Sequence, residues 1–442
     1  MFGFIKKMSS AQIIILGFAV FILIGALLLM LPFATQGDGR ASFADTLFTA
    51  TSAVCVTGLI VQDTATYWSF FGQAVILVLI QIGGMGVVTL AVAITSASGK
   101  RISLKQRSTM QEAISAHQIG GIVHFTGFII KMTVIFELLG AAAMAPAFCR
   151  EFGIAKGLWY SVFHSVSAFC NAGFDLMGAR EQFSSLTHLS DNLLINFAVM
   201  ALIIIGGIGF LTWEDIRTNK LRFRRYRMQT KVILTTSAIL IVLPALYLFF
   251  CEFSGETLGR RTLVSVFQSV TLRTAGFNTV DLTLISEAGI AIMILLMLVG
   301  GSPGSTAGGM KTTTLAVLVS TMVSVFRRRE HTHFFGRRID DGTVRSAATI
   351  LTLYMSLFIG GGAIISRVED LPLMTCLFET ASAVGTVGLT LGITPTLGHL
   401  SRAILIILMY LGRVGGLTLI FAALSGTKGN TARLPQEKLT IG

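Results

Sequence analysis

Long apolar runs alternate with short polar ones along the whole chain. The apolar stretches lie near 11–32, 70–98, 124–149, 192–213, 231–250, 288–324, 346–366 and 400–424. About 20 apolar residues cross a hydrocarbon layer of ~30 Å as a helix, so the pattern predicts eight spans. Within each successive pair of spans lies a longer connection, at 33–69, 150–191, 251–287 and 367–399. Each connection holds an apolar stretch of about ten residues and then a small-residue run ending in glycine. Such a stretch is too short to cross the layer. It predicts a half-helix that enters the membrane and returns.

These four segments resemble one another. They run from Phe43 to Gly58, from Ser161 to Gly173, from Ser265 to Gly276 and from Leu377 to Gly388, with the glycines 115, 103 and 112 residues apart. A second glycine mark follows each at 25, 33, 24 and 24 residues: Gly83-Gly-Met-Gly86, Gly206-Gly-Ile-Gly209, Gly300-Gly-Ser-Pro-Gly304 and Gly412-Arg-Val-Gly-Gly416. Self-similarity of this kind decides the fold before anything else. The unit reads span, re-entrant helix, glycine-ended loop, span. Expected units are 11–98, 124–213, 231–324 with a broken second span, and 346–424, followed by a polar tail at 425–442. The fold class is an all-α integral membrane protein with eight spans in four such repeats around a single pore.

Composition narrows the class. Hydrophobic residues make up 53% of the chain and charged ones only 13%, about half the share of a soluble domain. A soluble enzyme and a disordered chain are both excluded. A net charge of +12 would point to nucleic acid in a soluble protein. Here 22 of the 34 basic residues, against 7 of the 22 acids, fall in five polar segments at 1–10, 99–125, 212–231, 326–345 and 427–442. These carry +15 and the rest of the chain −3. The positive-inside rule places all five, both termini included, in the cytoplasm of a multi-pass plasma-membrane protein. The charge is thus an orientation signal for the lipid bilayer, and no nucleic-acid partner is expected. The first apolar run lacks a small-residue cleavage site and is expected to span. Five scattered cysteines, without CxxC spacing, give neither a zinc site nor a disulfide framework.

A re-entrant helix with a non-helical return leaves backbone carbonyls unpaired, which is tolerable only along a water- or ion-filled path. Four such loops on one axis form a ring of carbonyls able to replace the hydration shell of a monovalent cation. Glycine reaches positive φ and turns oxygens inward without filling the lumen. Half-helix C-termini add negative dipole ends. Close helix packing explains one such glycine, but not four at matched positions. The expected filter comprises Cys55, Val56, Thr57 and Gly58; Cys170, Asn171, Ala172 and Gly173; Thr274, Ala275 and Gly276; and Gly385, Thr386, Val387 and Gly388. Arg273 and Glu379 are expected to support it from behind. The permeant ion at the filter is the expected metal, with no organic cofactor on this chain.

The run 288–324 would measure about 55 Å as an unbroken helix. Its middle, Gly300, Gly301, Ser302, Pro303, Gly304, Ser305, Thr306, Ala307, Gly308, Gly309, Met310, Lys311, Thr312, Thr313 and Thr314, must break it. Broken helix at membrane depth predicts a mobile plug below the filter. A phosphate-loop reading fails, because Met310 intrudes before Lys311 and no strand precedes the segment. Arg413 within the last run is costly at that depth and marks a functional position. It is expected to act in the gate, or else to pair with a helix acid.

The motifs Cys55-Val-Thr-Gly58, Cys170-Asn-Ala-Gly173-Phe, Arg273-Thr-Ala-Gly276-Phe-Asn and Gly385-Thr-Val-Gly388-Leu resemble those of the Trk/Ktr/HKT superfamily of cation transporters. The likeness is greatest to KtrB-type membrane subunits of bacterial Ktr potassium uptake systems, and covers the chain from about Ser10 to Gly426. It implies K⁺ uptake, often Na⁺-assisted, through a homodimer with one pore per subunit. It also implies a separate cytoplasmic ring of KtrA-type nucleotide-binding subunits, for which 217–231, 326–345 and the tail after Gly426 are the expected docking surfaces. An intramembrane gating loop and a pore-closing arginine are implied at 300–314 and Arg413. Relatives that favour sodium carry serine at the first filter glycine, so Gly58 favours K⁺ over a Na⁺-translocating relative. An alternating-access transporter would instead predict inverted halves. An intramembrane enzyme would need a catalytic motif in its proper setting: HExxH is absent, and Gly300-Gly-Ser-Pro-Gly304 has the GxSxG spacing but lies inside an apolar run with no strand before it.

Overall fold

The computed structural model describes residues 8–37, 39–97, 104–113, 121–220, 222–416 and 418. The tail 425–442, the end of the last apolar run and the basic residues Lys6, Lys7, Lys100 and Arg101 lie outside these described residues.

Four helices among the described residues are long and apolar enough to cross a membrane. They are α1 (Ser10–Leu29), α6 (Ile122–Phe152), α10 (Met228–Tyr247), which continues as a π turn over Leu248–Glu252, and α14 (Asp341–Glu369). Polar caps set two of their starts. Ser9 and Gln12 form a reciprocal capping box on α1, and the Asp340 carboxylate accepts the Gly342 N–H of α14 at 2.9 Å. α14 begins five residues before its apolar run, because the cap rather than hydropathy decides the first turn.

Each long helix is followed by a short one: α2 (Phe43–Cys55), α7 (Ile154–Phe169), α11 (Leu258–Thr271) and α15 (Leu373–Gly385). Their C-terminal halves are largely buried. Phe48, Phe163, Phe267 and Phe378, each nine or ten residues before its loop glycine, are fully enclosed. Truncating one such ring to alanine costs about 3–5 kcal/mol in a packed core. Four buried rings therefore fix the short helices in place.

The second helices depart from expectation. The runs 70–98, 192–213 and 400–424 were expected to be continuous, and all three break. α3 (Phe70–Met85) stops at Gly86, φ +82°, before α4 (Val87–Ala97). α8 (Leu193–Gly207) stops at Ile208–Gly209, and α9 (Phe210–Asn219) leaves at 95° to it. Counted as one span, this bent pair brings the long apolar crossings to five. The last helix, numbered α16 below, stops at Gly415, φ +89°. A φ near +90° lies outside the helical region, so Gly86, Gly209 and Gly415 interrupt their runs.

In the third pair, α12 (Glu287–Met297) gives way to a loop at 298–311 before α13 (Thr312–Phe326). Beyond α13, β1 (His333–Phe334) and β2 (Arg337–Arg338) form a small antiparallel hairpin across Phe335-Gly336, both at positive φ. α5 (Leu104–Ala113) packs beside α1 and α4, and α16 (His399–Val414) ends the described fold.

Candidate functional site

The four short helices end three to five residues before Gly58, Gly173, Gly276 and Gly388. These glycines have φ of +92°, +70°, +77° and +91°. They form a closed cycle in chain order. A Cβ added to Gly58 would lie 2.5 Å from the Ala172 oxygen, one on Gly173 2.6 Å from Ala275 O, one on Gly276 2.2 Å from Val387 O, and one on Gly388 2.1 Å from Thr57 O. Each loop glycine thus abuts the carbonyl that precedes the next loop's glycine, and the fourth closes on the first. Among the described residues no backbone or side-chain donor satisfies these four oxygens. Buried carbonyls without partners are rare, so this ring is what a cation could complete.

The loops are stitched to their helices by a hydroxyl that sequence reading missed. Ser52 and Ser382 accept the N–H groups of Gly58 and Gly388, both at 3.0 Å. Ser167 and Thr271 instead donate to the carbonyls of Phe174 (2.7 Å) and Phe277 (2.8 Å), one residue past their glycines. A hydroxyl five or six residues before each glycine was the available signal.

The predicted supports lie outside the cycle. Arg273 is buried and donates to Ser237 O of α10 at 3.3 Å, away from the loop carbonyls. Glu379 accepts the hydroxyls of Thr390 and Thr394 and the Leu391 N–H (3.2 Å), holding the chain beyond Gly388. Asn171 does more than scaffold its own loop. Its amide donates to Thr306 Oγ1 at 2.9 Å and its carbonyl accepts Thr274 Oγ1 at 3.1 Å. His164 is satisfied within its helix and loop, by Tyr160 O at 2.7 Å and the Leu176 N–H at 3.3 Å.

On one side the four glycines open into a cavity of about 330 Å³ that also touches Asp175, Asn278, Asp281 and Thr390. Asp175 is held by a hydrogen bond from the Met177 N–H at 2.9 Å. Loss of water raises its carboxyl to about 7, and the nearby Asp63 pushes the same way. Asp63 itself binds the N–H groups of Ala65 and Thr66 on one oxygen and that of Phe183 on the other, tying the first connection to the second.

The 298–311 segment lies beneath the cycle as a closed loop. Its neck is pinned by Gly300 N–H to Met310 O (2.7 Å) and Thr312 N–H to Gly301 O (3.1 Å). Its body fills the breaks of other helices. Ser302 N–H reaches Gly207 O at 3.0 Å, Phe210 N–H reaches Gly304 O at 2.7 Å, and Gly309 N–H reaches Gly412 O at 3.3 Å. Thr306 donates to Phe169 O at 3.0 Å. A Cβ on Gly308 would meet Thr386 at 2.2 Å. The loop reaches the second and fourth turns. The reason is that α8, α9 and α16 leave unpaired backbone groups at their breaks, and the loop satisfies them.

Arg413 makes no ion pair with a helix acid among the described residues. Its guanidinium donates to Thr306 O in the loop and to Gly83 O and Gly84 O (3.3 Å) at the end of α3. Lys311 turns back onto Ala307 O (2.9 Å) and Gly308 O. Both cations line a second cavity, of about 230 Å³, with Gly84, Gly309 and Tyr354.

Comparison with known proteins accords with this geometry. A family model described as TrkH, cation transport protein, matches residues 4–427. The chain is 39% identical to the potassium/sodium uptake protein NtpJ of Enterococcus hirae, covering 99% of this chain and 98% of that one. It is 38% identical to Ktr system potassium uptake protein B of Bacillus subtilis, covering 99% and 97%. The crystal structure of the potassium transporter TrkH from Vibrio parahaemolyticus has the same fold, with TM-score 0.74 and 18% identity over 94% of this chain and 85% of that one. With a family match over almost its entire length and relatives above 30% identity from end to end, the chain belongs to the TrkH family of cation transport proteins.

Proposed function

We propose that this chain is the pore-forming subunit of a K⁺ uptake system, with the four glycine loops as its selectivity filter. In this reading eight spans form four repeats around one pore, with the basic segments and both termini in the cytoplasm. The observation that carries the reading is the closed cycle of Gly58, Gly173, Gly276 and Gly388 with its unpaired carbonyls. Carbonyl dipoles replace water around a monovalent cation, and a glycine at each turn keeps the lumen free of side chains. The names of the relatives in Enterococcus hirae and Bacillus subtilis, both uptake proteins for potassium, agree with it.

The loop 298–311 and Arg413 form the gate. The loop fills the space under the filter, and the Arg413 guanidinium sets a positive charge beside the path while bonding the loop to α3. Opening requires these bonds to be exchanged for water or for another set of carbonyls. Regulation falls to a separate nucleotide-binding partner on the cytoplasmic face, in line with the Ktr system name borne by the Bacillus relative. The chain works as a homodimer, and Na⁺ assists transport.

The test is tracer uptake by Gly58→Ser and wild type in a host without its own K⁺ systems, with and without Na⁺. The expected result is a shift of preference from K⁺ toward Na⁺. Unchanged selectivity and K⁺ affinity would reject the filter assignment.

A further inference from the structure

A cavity of about 830 Å³ on the basic side of the bundle is lined by Arg107, His124, Lys131 and Arg217, with Val123, Phe128 and Met132 as its apolar wall. The nitrogen-bearing side chains come from three elements: Arg107 from α5, His124 and Lys131 from α6, Arg217 from α9. None makes an ion pair among the described residues. The buried Nε of Arg107 has no hydrogen-bond partner. The Arg217 guanidinium sits over the Phe128 ring, 5.1 Å from its centroid, which fixes it at the cavity wall.

Nearby acids are engaged elsewhere. Glu112 lines the cavity that holds Lys311 and Arg413. Asp215 accepts the Asn219 side-chain amide at 2.7 Å and the Arg227 N–H at 2.8 Å, and Glu214 faces Arg227 at 3.7 Å. The site therefore has a concentration of positive charge with no internal counter-ion.

Helix periodicity indicates where the counter-ion comes from. Lys131 heads a stripe at i+3, i+4, i+7 and i+8 made of Val134, Ile135, Leu138 and Leu139, and all four are exposed. A lysine at the foot of an exposed apolar stripe stands where a lipid headgroup meets its acyl chains. A soluble anion would use the cations but leave the stripe bare.

We infer that this cavity binds the headgroup of an anionic phospholipid of the inner leaflet. The phosphate lies among Arg107, His124, Lys131 and Arg217, and an acyl chain runs along Val134, Ile135, Leu138 and Leu139. The assignment rests on the membrane-spanning orientation proposed above, with the basic segments inward. It concerns a face of α6 apart from the filter and gate residues, so lipid retention is read independently of K⁺ transport.

The test is native mass spectrometry of the full-length protein titrated with phosphatidylglycerol or phosphatidylcholine. Wild type is compared with Lys131→Arg and with the double variant Lys131→Ala, Arg217→Ala. Each surface cation contributes about fivefold to anionic-lipid affinity, so the double variant should bind phosphatidylglycerol about 25-fold more weakly. Lys131→Arg should bind it like wild type, and phosphatidylcholine should bind weakly and equally to all three. Equal phosphatidylglycerol binding by wild type and double variant would overturn the inference. So would full displacement of the lipid by inorganic phosphate, which would assign the site to a soluble anion. A third overturning result is a disulfide cross-link between two copies of the Lys131→Cys variant, which would assign the stripe to a subunit interface.

Discussion

The glycine cycle and the segments beneath it follow opposite rules. In the cycle four loops do the same thing, with φ between +70° and +92° and each glycine against the next loop's carbonyl. Beneath it three second helices break at a single glycine mark, and the third opens into a loop at 298–311 that fills the breaks of the second and fourth. The mark glycines reveal the same split. Gly83, Gly206 and Gly412 would press a Cβ onto Val54 O, Phe169 O and Val384 O, each at the end of the short helix of its own unit. Gly300 would instead meet Gly308 O within its own loop. Coordination of one ion on an axis demands equivalent ligands from every side. A gate needs one element free to differ from its neighbours.

Substitution in the cycle should have the largest effect. Gly388→Ala would force a side chain into a left-handed turn, costing about 1–2 kcal/mol, and drive its Cβ to within 2.1 Å of Thr57 O. K⁺ uptake should fall at least about tenfold while the protein still inserts and purifies. Normal uptake would show that the four turns do not act as equivalent ligands.

Next in size is Arg413→Ala, which removes the bonds to Thr306, Gly83 and Gly84 together with the charge. A hydrogen bond from a charged group is worth about 1.5–3 kcal/mol, so the K⁺ uptake rate should rise by about tenfold or more, with the K⁺/Na⁺ ratio kept. A slower rate would assign Arg413 to structure rather than closure. Thr306→Val should have a milder effect. It deletes the hydroxyl shared by Asn171 and Phe169 O, a neutral contribution of about 1 kcal/mol, and should alter the rate by about fivefold. An unchanged rate would mean that loop and second filter turn are not coupled through Asn171.

The smallest effect lies at the mouth. The Asp175 carboxyl, at about 7, is mostly ionised at pH 8 and mostly neutral at pH 6. Its negative charge attracts cations, so uptake at low K⁺ should fall by about twofold between pH 8 and pH 6. Asp175→Asn should flatten that dependence. A dependence that persists in the variant would place the titrating group elsewhere.

The positions of the ring glycines were legible because backbone geometry is written directly into sequence. Helix packing alone does not put a glycine after a short apolar helix four times over. The breaks at Gly86, Gly209 and Gly415 were not legible, because glycine in an apolar run serves helix packing equally well. The partners of Arg413 were hidden too. It bonds carbonyls on residues 107 and 330 positions away, and backbone acceptors leave no mark in the side-chain sequence. The same holds for Asn171, whose contact with Thr306 spans 135 residues. The stitching hydroxyls lay in the aligned segments, but an alcohol in an apolar helix reads first as small-residue packing. The third segment also places its Thr271 one position closer to the glycine, which blurs the register.

The most direct measurement is paired K⁺ and Na⁺ tracer flux in proteoliposomes for wild type, Gly58→Ser and Thr306→Val. Gly58→Ser should change the K⁺/Na⁺ ratio, and Thr306→Val should change the rate of both ions at a constant ratio. A ratio that moves with Thr306→Val and stays fixed with Gly58→Ser would contradict the division between a symmetric selecting ring and an asymmetric gate.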